Sequence, residues 1–459
     1  MNYANFIADK LGTIASAGID APLRDYALFP HQRDITKWAL RRGKAAIFAD
    51  TGLGKMRMAI AWADTVFQHT CHPVMILCPL AVAQQFVAEG LLMGIEVTHC
   101  REQQDVRQGI NITNYDRMHK FDMRQFAGVA LDESSIIKSH ASKTLALLMD
   151  AFRTTPYKLC CTATPSPNDW TELGTHAEFL GVRSRSEMLA EFFVHDGGDT
   201  SVWRLKGHAR AVFWRWVASW GAMIRSPADL GYDASAYALP PLHIHQHTVE
   251  IEHNPLHGLF AQEAQTLSER RQSRRDSMAA RVKACAELVN IGYEDPWIVW
   301  CDLNDEGDML ERAIPGSVQV AGADDNDTKE QRLVGFAAGK HRVLITKQKI
   351  AGWGLNFQHC AHQAFVGVND SYEGFYQAVR RSWRFGQRRP VNIHVFASNQ
   401  DGAVVANIKR KQQAADEMYA QMSADTLDAV RESVLGARKN TNDYNASRRV
   451  AVPSFLVAA

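Results

Sequence analysis

Between residues 44 and 165, short apolar runs rich in β-branched residues alternate with amphipathic stretches. KAAIFAD, PVMILCP, GINITNY, GVALDE and YKLCCTAT are bounded by turn or polar residues, which predicts strands. GKMRMAIAWADTVFQ and LAVAQQFVAEGLL place apolar residues at helical spacing between them. Strand–helix alternation predicts an α/β fold, a parallel sheet with helices on both faces and ligand sites at the carboxyl ends of its strands.

The pattern changes over residues 184–223, where Trp, Phe and Ala recur at helical spacing and end in AVFWRWVASWGAM; these aromatics are expected to face the core of a short helical insertion. SPADLGYDASAYALPPL follows and is expected to cross between domains, its two prolines ending any helix. HIHQHTVEIEH alternates strictly, which puts His243, His245 and His247 on one face of a strand, expected to be plain surface and not a metal site. After a charged helix at about 254–291, the strand runs WIVWCD, SVQVAG, RVLITK, AFVGVN and VNIHVFAS alternate with the helical stretches GDMLERAI, TKEQRLVGFAAG and EGFYQAVRRSWR. This is a second α/β unit of similar size. The expected organisation is an N-terminal segment 1–24, a first domain 25–183, an insertion and linker 184–253, a second domain 254–400 with its own helical insertion at 254–291, and a C-terminal helix and tail 401–459.

Length narrows the picture little, since 459 residues suffice for two or three ordinary cores. With 46% hydrophobic and 22% charged residues the chain reads as a soluble globular protein. A net charge of +1 neither suggests nor excludes a nucleic-acid partner. Eight cysteines form no C-x-x-C pair and several sit inside strand runs, so they are expected to be buried free thiols in a reducing compartment. No apolar stretch reaches 18 residues and no leader pattern opens the chain, so a cytoplasmic location is expected.

Three stretches carry chemistry. ADTGLGKM, Ala49 to Met56, has the strand–glycine turn–helix setting of a phosphate loop: the backbone of Ala49, Asp50, Thr51, Gly52, Leu53 and Gly54 surrounds the phosphates, and Lys55 reaches their oxygens. VALDESS puts Asp132 and Glu133 at the carboxyl end of a strand, where Asp132 can hold Mg²⁺ and Glu133 can orient or deprotonate a water. In QAVRRSWRFGQ, Gln377, Arg381 and Arg384 share one helical face and can supply positive charge to a transferring phosphoryl group.

In order and content these segments resemble the superfamily-two helicases and translocases, most closely the Swi/Snf-like branch. LFPHQ (28–32) looks like the adenine-reading Q-type motif, with Gln32 at the base edge. ADTGLGKM looks like motif I, LCPLAVAQQF like motif Ia, ITNYD with Asn114 like the short motif that touches the nucleic-acid backbone, and LDESSIIKS like motif II. TATPSPND resembles motif III, ITKQKIAGWGLNF motif V and QAVRRSWRFGQ motif VI; ALPPL matches the linker entering the second domain. The DTGLGK and DESS variants and the chain's compactness resemble small phage or prophage members.

The resemblance implies two tandem RecA-like P-loop domains with short helical insertions, the latter corresponding to the branch's protrusions. ATP would lie in the cleft between the domains and duplex DNA across their top. It makes Lys55 the phosphate ligand, gives Asp132 and Glu133 the metal and water, and makes Arg381 and Arg384 the arginine fingers. Thr162, Thr164 and Gln377 would couple nucleotide state to DNA, while Gly352 and Gly354 let the motif V loop approach both ligands. Met56 departs from the pattern by removing the hydroxyl that usually takes one Mg²⁺ position, which a water can fill; Thr51 precedes the glycine turn and is not assumed to reach the metal. Ser135 stands where the family has His, and His31 replaces an aromatic. The expected activity is a DNA-dependent ATPase translocating on duplex DNA, with ATP and Mg²⁺ as cofactors and phage or host replication or recombination proteins as partners. The alternatives are a true DNA or RNA helicase, and an ATP-binding, non-hydrolysing DNA-binding module that recruits partners.

Overall fold

The computed structural model describes residues 18–80, 82–166, 169–196, 199–250, 275–291, 294–351, 355–367, 372–398, 410 and 426–436. Two parallel sheets dominate them. The first has seven strands in the order β3-β4-β2-β5-β6-β1-β9. They are β1 (Lys44–Ala49), β2 (Val74–Cys78), β3 (Val97–His99), β4 (Ile110–Asn114), β5 (Gly128–Asp132), β6 (Tyr157–Thr162) and β9 (Gly221–Ile224). The second has six, β10-β15-β14-β11-β13-β12: β10 (Leu242–Val249), β11 (Trp297–Cys301), β12 (Ser317–Val320), β13 (Val343–Lys347), β14 (His362–Phe365) and β15 (Val391–Ser398). These are the two tandem RecA-like domains expected from the sequence.

Because successive strand residues point to opposite faces, each sheet sorts its apolar runs into two cores. Ala45, Ile47 and Ala49 of β1 face a core shared with the helices Pro30–Arg42 and Lys55–Thr70. Ala46 and Phe48 face the other core, with Leu131 of β5 and the aromatics of the Arg210–Trp220 helix. The second sheet divides likewise, Ile298 and Trp300 on one side and Trp297 and Val299 on the other.

Residues 184–253 depart from the expected insertion and linker. The helices Arg185–Phe192 and Arg210–Trp220 cover one face of the first sheet, burying Phe213, Trp214, Trp216 and Trp220 among its strand residues. They are part of the domain's core and not a protrusion. The segment also supplies the antiparallel pair β7 (Phe193–Asp196) and β8 (Asp199–Leu205), and it gives β9 to the first sheet and β10 to the second. GAMI of β9 follows the tryptophan-rich helix directly, so its four residues continue an apolar run with no turn signal to set them apart.

Most of the expected 254–291 helix and of the expected C-terminal helix and tail over 401–459 lies outside the described residues, although Met278–Ile291 is a helix packed on the second sheet. A helix over 426–435 returns to the first domain. There it buries Val430 and Val434 in the first core, and Ser433 Oγ accepts from Trp38 Nε1 at 2.8 Å. All eight cysteines are free, seven buried and Cys71 exposed. Among the described residues no helix is long and apolar enough to cross a membrane.

Candidate active site between the two sheets

The phosphate loop leaves β1 at Ala49 and turns through Gly52 (φ +89°) and Gly54 (φ +84°) into the helix that starts at Lys55. Both glycines hold left-handed backbone that a side chain would strain. Neither has room for a Cβ: at Gly52 it would lie 2.8 Å from Phe385 Cβ, and at Gly54 2.2 Å from Gln32 Nε2. Lys55 Nζ donates to the carbonyls of Ala49 (2.7 Å) and Asp50 (3.2 Å). Burial lowers the Lys55 pKa, opposed by Glu133, Asp50 and Asp132. Met56 packs its thioether against the first core. Thr51 donates to Asp50 Oδ1 through both its amide (2.6 Å) and its hydroxyl (3.2 Å).

Asp132 ends β5 and Glu133 follows in left-handed backbone (φ +54°), unusual for a residue with a side chain. Both are buried, and Glu133 Oε1 has no hydrogen-bond partner. Burial, then the neighbouring Glu133, push the Asp132 carboxyl up to about 7, against the pull of Lys55 and Arg381. The Asp132 carbonyl accepts from Tyr115 Oη at 2.7 Å. Ser135 is buried, while its neighbour Ser134 bonds His176 Nε2 at 3.1 Å.

From the second sheet, the Tyr372–Val379 helix delivers motif VI. The expected helix ran on through Arg384, but it stops at Val379. Arg381 Nε takes the Gln377 carbonyl (2.9 Å), and the Arg381 amide turns to Ala378 O three residues back (3.1 Å). Arg381 also donates to Gln377 Oε1 (2.9 Å) and to the Leu355 carbonyl (3.0 Å), which Arg384 shares at 3.3 Å. Burial depresses the Arg384 pKa to about 9, with Arg381 and Arg380 adding to it and Glu133 and Asp132 opposing. Arg381 is likewise depressed by burial and supported by the same two carboxylates of the other domain. The expected fingers thus lie within the field of the carboxylate pair.

Other expected residues take less anticipated places. Gln32 spends both ends of its amide on protein, accepting from Phe29 N at 3.1 Å and donating to Leu53 O at 3.1 Å, so it braces the phosphate loop. Asn114 caps its own turn, accepting from Arg117 N at 3.0 Å, and is buried. Thr162 accepts from the Thr164 amide at 3.1 Å, and Thr164 Oγ1 meets Gln377 Nε2 across the cleft at 3.2 Å. Gly352 and Gly354 lie outside the described residues.

Sequence reasoning missed two groups. Arg380, between the helix and the expected fingers, crosses to Asp50 at 2.6 Å, joined by Tyr376 Oη at 3.1 Å. Phe29, His31, Tyr237 and Phe385 form an aromatic cluster beside the loop, Tyr237 and Phe385 having ring centroids 4.7 Å apart. The run of three arginines in RRSWR was the available signal for the first group; Tyr237 had only its place in the linker.

His243, His245 and His247 do share a face, and the latter two reach β15, where His247 Nε2 lies 3.0 Å from His394 Nδ1. Among the described residues no group of three or more His, Cys, Asp or Glu is arranged to hold a metal ion.

A glycine loop with a lysine after β1, a carboxylate pair at the end of β5 two strands away, and arginines from the second sheet make a candidate nucleotide site between two RecA-like domains. Residues 31–216 match the sequence model of the SNF2-related domain. Among solved structures the chain is similar to Saccharomyces cerevisiae Dbp5 bound to RNA and ADP BeF3, with 11% identity, a TM-score of 0.54, and 88% of this chain and 98% of that one covered. That likeness shows the shared fold. The Sulfolobus solfataricus SWI2/SNF2 ATPase core in complex with dsDNA matches at 16% identity over 92% of this chain and 98% of that one. Its TM-score of 0.39 is too low to carry an inference. No curated protein matches the chain.

Proposed function

We propose that this chain hydrolyses ATP in the cleft between its sheets and uses the cycle to translocate on duplex DNA. The observation that carries the reading is the convergence of Lys55, Asp132 and Glu133 from one domain with Arg381 and Arg384 from the other, the two arginines feeling both carboxylates. The donor set fits the ligands. Gly52 and Gly54 leave the loop backbone without side chains, and Glu133 Oε1 is a buried acceptor with no protein partner. Two carboxylates suit Mg²⁺, which usually binds protein through one or two carboxylates plus phosphate oxygens and water. Bound there, Mg²⁺ would neutralise charge on the phosphates.

The chain's own residues then divide the work. Lys55 exchanges its loop carbonyls for phosphate oxygens. Glu133 accepts the proton of the attacking water or orients it. Arg381 and Arg384 face the charge that develops on the transferring group. The Thr164–Gln377 contact ties the strand end of β6 to motif VI, a route by which nucleotide state reaches the rest of each domain. If Gln32 reads the base, it must release Phe29 N or Leu53 O to do so.

DNA as the partner is supported by the family match and by Arg101 and Arg117, which follow β3 and β4 on the carboxyl side of the first sheet. Both arginines lie 3.5 Å from Asp327 of the second domain. Binding through phosphates predicts weak sequence preference and steep salt dependence. The test is ATP hydrolysis with and without linear duplex DNA at rising salt. Stimulation that fades with ionic strength supports the reading, and salt-independent or absent stimulation opposes it.

A second reading, a nucleotide-gated binder without hydrolysis, is favoured by one observation: Met56 offers no hydroxyl and the Thr51 hydroxyl is bonded to Asp50. A native chain that is silent while Met56→Thr hydrolyses ATP would establish it.

A further inference from the structure

Motif VI makes more than one kind of contact with the first domain. Arg381 and Arg384 donate to Leu355 O of their own domain and lie in the field of Glu133 and Asp132, whereas Arg380 reaches the phosphate loop itself. The Arg380–Asp50 ion pair is 2.6 Å long, with side-chain exposures of 6% and 25%. Tyr376 Oη adds a hydrogen bond to the other carboxylate oxygen at 3.1 Å. Arg380 is held for this by its own domain: its guanidinium lies over the rings of Tyr376 (5.6 Å) and Trp383 (5.1 Å). Trp383 is in turn anchored by Nε1 to the Pro240 carbonyl of the inter-domain crossing (2.7 Å). Asp50 is equally constrained, since Oδ1 also accepts from the Thr51 amide.

We propose that Asp50, Arg380 and Tyr376 form a latch that closes the two domains through protein atoms alone, and that Arg380 is thereby a positioning residue for Arg381 and Arg384. Three features support this. The pair joins the only residue between the helix end at Val379 and Arg381 to the first turn of the phosphate loop, so its length sets how far motif VI stands from that loop. Because Arg380 is buried in the closed arrangement, removing Asp50 there leaves its charge uncompensated, so the closed arrangement depends on both partners being present. Asp50 stays ionised despite its burial: the charge and hydrogen bond of Arg380, helped by the Thr51 amide, keep its carboxyl below the usual carboxylate range. The flanking contacts, Phe385 against Gly52 and Gln377 with Thr164, are neutral, and the charged contacts of Arg101 and Arg117 with Asp327 are longer and more exposed, at 3.5 Å.

The positioning half of the proposal rests on the ATPase reading; the latch does not. Cys71 is the exposed cysteine, so one dye can be placed there and a second on Glu311→Cys of the Asn304–Ala313 helix, with energy transfer read in the nucleotide-free protein. Arg380→Ala and Asp50→Ala should lower the transfer to the same level, and the double variant should lower it no further. Tyr376→Phe should give a partial shift, and Arg380→Lys should stay close to the native value. In ATP hydrolysis, Arg380→Ala should lose about 10–100-fold in kcat through misplaced arginines, with KM changed far less. Unchanged transfer in correctly folded Arg380→Ala overturns the latch. Lowered transfer with native kcat overturns the positioning role. If the native chain hydrolyses no ATP, the ATPase reading falls and the transfer measurement alone decides the latch.

Discussion

Acid should destabilise the first domain through one buried histidine. His176 is fully buried, its ring 5.3 Å edge-on from Phe48 and its Nε2 3.1 Å from Ser134 Oγ, the residue next to Glu133. Burial lowers its pKa from 6.5 to about 4, against smaller opposing hydrogen bonds to Glu172 and Ser134. Between these values the folded protein holds His176 neutral while the unfolded chain protonates it. The unfolded state then binds more protons, so stability falls as pH drops below 6.5 and levels off only below pH 4. Linkage gives a loss of about 2 kcal/mol at pH 5 and about 3 kcal/mol once both states are protonated. Urea unfolding at pH 7.5, 6 and 5, followed by tryptophan fluorescence, should show this loss in the native chain. His176→Gln, which keeps a hydrogen-bonding group for Ser134, should lose about 2 kcal/mol less over the same range. His394, also depressed to about 4 by burial and by its histidine neighbours, acts in the same direction but is present in both chains and cancels. Parallel losses in native and variant would refute the reasoning.

Two further predictions use the loop and the second core. Gly54→Ala must place a Cβ 2.2 Å from Gln32 Nε2 at φ +84°, so the loop has to shift and fluorescent-nucleotide titration should show affinity down by about tenfold or more. Gly316→Ala, at φ +71° with nothing within 4 Å, should leave nucleotide affinity unchanged. Glu306→Ala removes the carboxylate that lies 2.9 Å from buried Arg281 and accepts from the amides of Asp302 and Leu303. A loss of about 3–5 kcal/mol in the second domain's urea stability is expected, and a loss under 1 kcal/mol would show that the pair is replaceable.

The strands were legible where they are long and central. A strand buried in a parallel sheet reads as a continuous apolar run, as in VMILC and WIVWC. The edge strands VTH and GAMI were not, being three or four residues long with no pattern of their own. The glycine turn before Lys55 and the place of Asp132 and Glu133 at the end of β5 were legible because each is set by residues local in the chain. Arg380 was not, because its partner lies 330 residues away and only the packing of two domains selects it from its neighbouring arginines. The early end of its helix was also hidden, since it depends on Arg381 taking the Gln377 carbonyl. Gln32 and Asn114 show the same limit: the motif located them, but the amide partners were decided by tertiary packing.

The most direct test of the account is Mg²⁺-dependent ATP hydrolysis by the native chain and by Glu133→Gln, each with and without duplex DNA. The account predicts DNA-stimulated hydrolysis by the native protein and a loss of about 10²–10⁴-fold in Glu133→Gln with nucleotide binding retained. Glu133→Gln turning over ATP at the native rate would contradict it.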